Sequence, residues 1–104
     1  MMLTLPAVWI GATLIVAVAE RVPDYDVRPS CHAATSLMSL DPKREVQCLN
    51  DEDSARREVA RQWAGFQPVD RERCAAEAQL DGTPSYVDLL ECLTLAREAK
   101  AGKD

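Results

Sequence analysis

The sequence has one histidine and only four glycines in 104 residues. A lone histidine leaves no histidine pair to share acid–base work or to hold a metal. No glycine-rich loop precedes a helix in the way a phosphate cradle requires. The cysteines form no CxxC, CxxCH or paired knuckle, so structural zinc, thioredoxin-like redox chemistry and covalent haem all lack their local spacing. The acids Asp51, Glu52, Asp53 and Glu58 lack the alternation and central glycine of a calcium loop. There is no basic cluster: 12 Lys and Arg stand interleaved with 17 Asp and Glu, for a net charge of −5. That balance argues against nucleic acid and anionic membrane surfaces. No internal repeat is visible. These absences predict a protein that is not an enzyme and takes no cofactor or metal.

Charge is missing altogether from residues 1–19, MMLTLPAVWIGATLIVAVA, and every charged residue lies at Glu20 or later. The boundary falls at Ala17-Val18-Ala19, a small-x-small pattern that predicts a signal peptide cleaved after Ala19. The amino-terminal region lacks the usual Lys or Arg, and the apolar run from Leu3 is only just long enough to span a bilayer. An uncleaved anchor is the alternative, and it would be the chain's only membrane attachment. Either way the rest of the chain is expected to be periplasmic or secreted.

The four cysteines, Cys31, Cys48, Cys74 and Cys92, are separated by 16, 25 and 17 residues. In an exported chain an even count predicts two disulfides. A domain this small gains little net stability from its core alone. Three connectivities are open. Cys74 and Cys92 lie at similar distances from Asp81-Gly82 and would face each other across a helical hairpin, which favours Cys74–Cys92 with Cys31–Cys48. The nested set, Cys31–Cys92 with Cys48–Cys74, is the competitor.

The remaining chain predicts an all-α fold of three or four short helices. Residues 20–30, ERVPDYDVRPS, read as an extended leader laid along the domain through Val22, Tyr25 and Val27. The helical domain then covers 31–99, and 100–104 form a charged tail. Ser30 is the expected cap of a first helix with Cys31, Ala34, Thr35 and Met38 on one face, ending by Asp41-Pro42. Residues 41–50 read as a polar connection carrying Cys48, with a helical turn within it as the alternative. Asn50 or Asp51 should cap a second helix with a buried stripe of Ala55, Val59, Trp63 and Phe66. Its outer face offers the pairs Glu52–Arg56 and Asp53–Arg57. After Gly65 and Pro68, Asp70 should cap a third helix, stapled by Val69 and Cys74 and continued by Ala75, Ala78 and Leu80. The last helix, 81–99, has Thr83 as its expected cap and Pro84 at its first position. Tyr86, Leu89, Leu90, Leu93 and Ala96 fall on one face, and Val87, Cys92 and Leu95 widen it. So wide an arc predicts a central helix packed against everything upstream.

Four groups invite a functional reading. His32 lies beside Cys31, but neighbours on a helix point about 100° apart, and a bridged cysteine is no nucleophile. Trp63 and Phe66 suggest an aromatic platform, yet both share the core stripe with Val59. Ser85 and Tyr86 sit where helix N–H groups would hold an anion. Tyr86 also reads as a core residue whose hydroxyl reaches a backbone partner. The acids at 51–58 with Arg56, Arg57 and Arg61 read as a solvated ion-pair face.

PSC followed by HAA at 29–34, CxxDExxAR at 48–56, a spaced W, F, DR and C at 63–74, and GTPSYVDLLECLTLA at 82–96 together resemble an uncharacterised family of small exported four-cysteine helical proteins of α-proteobacteria. The likeness covers residues 29–99, with Asp88, Glu91 and Leu95 replacing a commoner Glu, Thr and Met. It implies export and a helical architecture and carries no activity. The expected function is therefore a non-catalytic interaction or accessory protein of the cell envelope with an unidentified protein partner, its leader and wide apolar arc being the binding surfaces. The alternative is an acid- or stress-responsive holdase.

Overall fold

The computed structural model describes residues 21–38 and 41–102. The uncharged segment and the expected cleavage after Ala19 lie outside the described residues. Four helices follow in order: α1, Arg28–Met38; α2, Pro42–Gln62; α3, Pro68–Glu77; and α4, Tyr86–Ala101. A 3-10 turn, Trp63–Gly65, joins α2 to α3. The fold is all-α, and α1 packs on α2, α2 on α4 and α4 on α3. The last helix packs chiefly on α2 and α3 and meets the leader through Tyr86, while α1 packs chiefly on α2.

The buried core comprises Tyr25, Ala55, Val59, Trp63, Phe66, Ala78, Tyr86, Leu89 and Leu93 with Cys74. The expected stripe of α2 and the expected face of α4 therefore meet. Val59, Leu89 and Leu93 are wholly buried, a burial that contributes about 1.5–3 kcal/mol for each such side chain. Leu90, expected in the core, is only partly buried and packs against its rim.

Every helix start differs from the expected one, for local reasons. Pro42 takes the first position of α2 and Asp41 caps it, accepting the Lys43 N–H at 3.0 Å. Asp-Pro thus ends one helix and begins the next, and the supposed connection 41–50 is the first half of α2. Asn50 and Asp51 accordingly cap nothing. Helix α1 begins at Arg28 and takes the last three residues of the expected leader, and Ser30 is not its cap. Of its expected face Cys31 is buried and Thr35 half-buried, but Ala34 is exposed. Pro68 occupies the first position of α3, so Asp70 stands in the first turn rather than at the cap. Val69 is 63% exposed and makes no staple, and Leu80, beyond the end of α3, is 80% exposed. Thr83 does not cap α4. Its N–H and hydroxyl both bond Asp81 Oδ1, at 3.0 and 2.7 Å, in a turn closed by Gly82 at φ 82°. Ser85 caps instead. Helix α4 runs on to Ala101, taking Lys100 out of the expected tail.

Cys31 is bridged to Cys48 and Cys74 to Cys92, with Cα–Cα distances of 5.6 Å in both. The local pairing is therefore the one formed, one bridge tying α1 to α2 and the other α3 to α4. The bridged residues are 17 and 18 apart in sequence, and a loop of that size stabilises by about 3 kcal/mol through restriction of the unfolded chain. The double variants Cys31→Ser/Cys48→Ser and Cys74→Ser/Cys92→Ser should each lose about 3 kcal/mol in urea unfolding. Oxidised and reduced wild-type protein melting at one temperature would contradict this.

Candidate functional site

The largest concentration of buried polar contacts lies where α2, α4 and the leader meet. Glu52, in the middle of α2, is buried. Its Oε1 accepts the Tyr86 N–H at 2.6 Å and its Oε2 the Ser85 hydroxyl at 2.5 Å. The Ser85 hydroxyl oxygen in turn accepts the Asp88 N–H at 3.2 Å. A carboxylate from another helix thus occupies the positive start of α4, where free N–H groups favour negative charge. The helix start at Ser85 and Tyr86, which lacks the glycine-rich loop of a phosphate site, is filled by the protein's own side chain. Glu52 consequently does not pair with Arg56; Asp53 binds both Arg56, at 2.9 Å, and Arg57.

Tyr86 carries the joint onward. Its hydroxyl donates to the Pro23 carbonyl and accepts the Tyr25 N–H, both at 2.8 Å. The Tyr25 hydroxyl donates to the Ala75 carbonyl of α3 at 2.7 Å. The two rings lie 4.9 Å apart between centroids. Burial, reinforced by the neighbouring Tyr86, pushes the Tyr25 hydroxyl up to about 12, so it stays protonated and remains a donor. Val22 and Val27 pack on the core beside it. This stretch of the leader is laid along the domain as expected, but it is consumed in the fold and offers no free docking strand.

At the opposite end of α4, Lys100 Nζ donates to Asp70 Oδ2 at 2.5 Å and to Gln67 Oε1 at 2.8 Å. Arg97 donates to Gln62 Oε1 at 2.6 Å and lies 4.5 Å from the Phe66 ring centroid. The Arg71 guanidinium sits 5.5 Å from that of Trp63. Trp63 and Phe66 are core residues, as their spacing indicated, but each carries an arginine that periodicity could not locate. His32 is exposed, with Nδ1 3.4 Å from Glu45 Oε1, and its neighbour Cys31 is bridged. Among the described residues no group of three or more His, Cys, Asp or Glu is placed to hold a metal ion.

Two of the surface openings among the described residues have a largely apolar lining. A groove of about 470 Å³ runs between residues 21–24 and α3, beside Trp63 and Arg71. On the outside of α4, Val87, Leu90, Glu91, Thr94 and Leu95 line a shallow depression of about 310 Å³, with Val87 41% and Leu95 59% exposed.

The hydrogen bond from Lys100, with Arg73 adding to it, holds the Asp70 carboxyl below the usual carboxylate range. A carboxyl lowered on folding stabilises the native state above its unfolded value, and that contribution is lost as pH falls towards its folded value. Asp70→Asn should therefore flatten the fall in unfolding free energy between about pH 5 and pH 2 relative to wild type. Parallel wild-type and variant curves would show that the contact adds nothing. Comparisons of the chain with protein-family models, curated proteins and solved structures find no match.

Proposed function

We propose that the protein is a non-catalytic accessory or interaction protein of the exported compartment, periplasmic or secreted, which docks an envelope protein on the outer face of α4. The coarser part of this needs no proposal: the two bridges are those of an oxidising, non-cytoplasmic environment. No helix among the described residues is long and apolar enough to cross a membrane.

The observation that carries the docking reading is the exposed apolar face of a helix immobilised on every other side. Leu89 and Leu93 anchor α4 inward, Cys92 bridges it to α3, and Glu52 and Lys100 fix its two ends. Val87 and Leu95 are left outside with the exposed acids Asp88, Glu91 and Glu98. A rigid face of this kind binds without first paying to order itself. Its charge selects a partner presenting an apolar stripe flanked by Lys or Arg. The acid-triggered holdase has less support, since both bridges hold their helix pairs whatever the state of the carboxylates.

Native purification from envelope fractions should recover one partner at fixed stoichiometry, bound to a chain whose intact mass begins at Glu20. Val87→Asp/Leu95→Asp should cut that recovery about tenfold with little change in melting temperature, as both side chains are exposed. Undiminished recovery with the variant would exclude this face, and repeated recovery of no partner would exclude the reading. Reversible loss of tertiary structure with hydrophobic-dye binding at acid pH would favour the holdase instead.

A further inference from the structure

We infer that the groove between the amino-terminal stretch and α3 binds a small monocarboxylate with a flat apolar body, held by Arg71 against Trp63. The inference is independent of the docking face, which lies on α4.

The groove has the volume of a small-molecule site, about 470 Å³. Its apolar wall is built from Val22, Pro23, Trp63, Ala75 and Ala76. Trp63 is held rigidly by the core, and Pro23 is held by the Tyr86 hydroxyl on its carbonyl. The wall is therefore pre-formed. Arg71 lines the groove beside this wall. Its guanidinium lies over Trp63, and its Nε is buried with no hydrogen-bond partner. A buried donor without an acceptor is uncommon in a folded protein and calls for water or a ligand. Binding would require the guanidinium to turn off the Trp63 ring and set Nε and one Nη as a fork, a geometry that matches a carboxylate.

Charge narrows the class further. Arg21 and Arg71 line the groove together with Asp24 and Glu72, so the site is balanced rather than strongly positive. That balance accommodates one negative charge and disfavours a dianion such as phosphate. The apolar wall asks for a ring or short chain behind the carboxylate. Ala75 and Ala76 leave the room that larger side chains would fill.

The test uses the oxidised full-length mature chain with 3-phenylpropionate, its neutral amide and inorganic phosphate as probes. Titration is followed by the Arg71 Nε–H and Trp63 indole N–H resonances in nitrogen-15 spectra. The acid should shift both resonances saturably, the amide should bind about tenfold more weakly, and phosphate should leave them unmoved. Arg71→Lys keeps the charge and removes the fork, and should weaken the acid about tenfold. Ala76→Phe, at an exposed position of α3, fills the groove and should abolish binding without unfolding the chain. The inference is overturned if the acid moves neither resonance, if acid and amide titrate alike, or if Arg71→Lys binds as wild type does. It is equally overturned if water proves to be the sole partner of Nε and the acid does not displace it.

Discussion

The start of α4 is held by a carboxylate that belongs to α2, and the order of the rest follows from that placement. A helix end leaves several N–H groups without partners. Here Ser85 serves one and Glu52 another, while the Ser85 hydroxyl is itself held by Glu52. Placing the acceptor on a different helix makes local capping a tertiary contact. It fixes the register of α4 against α2 and so aims Tyr86 at the leader. Tyr86 in turn binds Pro23 and Tyr25, and Tyr25 binds Ala75. One buried acid thereby joins four segments of the chain. Its desolvation is offset by the two donors and by the helix end it faces.

The bridges and the distal contacts complete a frame around this joint. Cys31–Cys48 secures α1 to α2. Cys74–Cys92 and the Lys100–Asp70 contact hold α3 along the length of α4. What this frame presents outward is a fixed α4 face with Val87 and Leu95, and a groove with rigid walls beside Trp63. Both features depend on a backbone that is already ordered.

Much of this was legible in the residues. The stripe of Ala55, Val59, Trp63 and Phe66 and the pairing of cysteines near the Asp81-Gly82 turn follow from helical periodicity and hairpin geometry, both local properties. Helix starts are less legible, because several hydroxyls and acids compete for each cap and tertiary contacts choose between them. Thr83 lost to Ser85 because Asp81 captured its hydroxyl and Glu52 captured that of Ser85. In sequence Asp41-Pro42 signals a stop, although the same dipeptide is also a start. The role of Glu52 was hidden for a related reason: with Asp51 and Asp53 beside it and Arg56 four residues on, it looks like part of a solvated face. The Pro84-Ser85-Tyr86 segment supplies the partners of Glu52 and the leader. The arginines over Trp63 and Phe66 had no periodic signal at all.

The account rests on the acceptor at the start of α4, and urea unfolding of Glu52→Ala with both bridges intact tests it most directly. Removing the carboxylate strands the Tyr86 N–H and the Ser85 hydroxyl in a buried site, so the variant should lose about 2 kcal/mol or more. Amide exchange at Tyr86 and Tyr25 should accelerate together. A variant as stable as wild type, with both amides protected as before, would contradict the account.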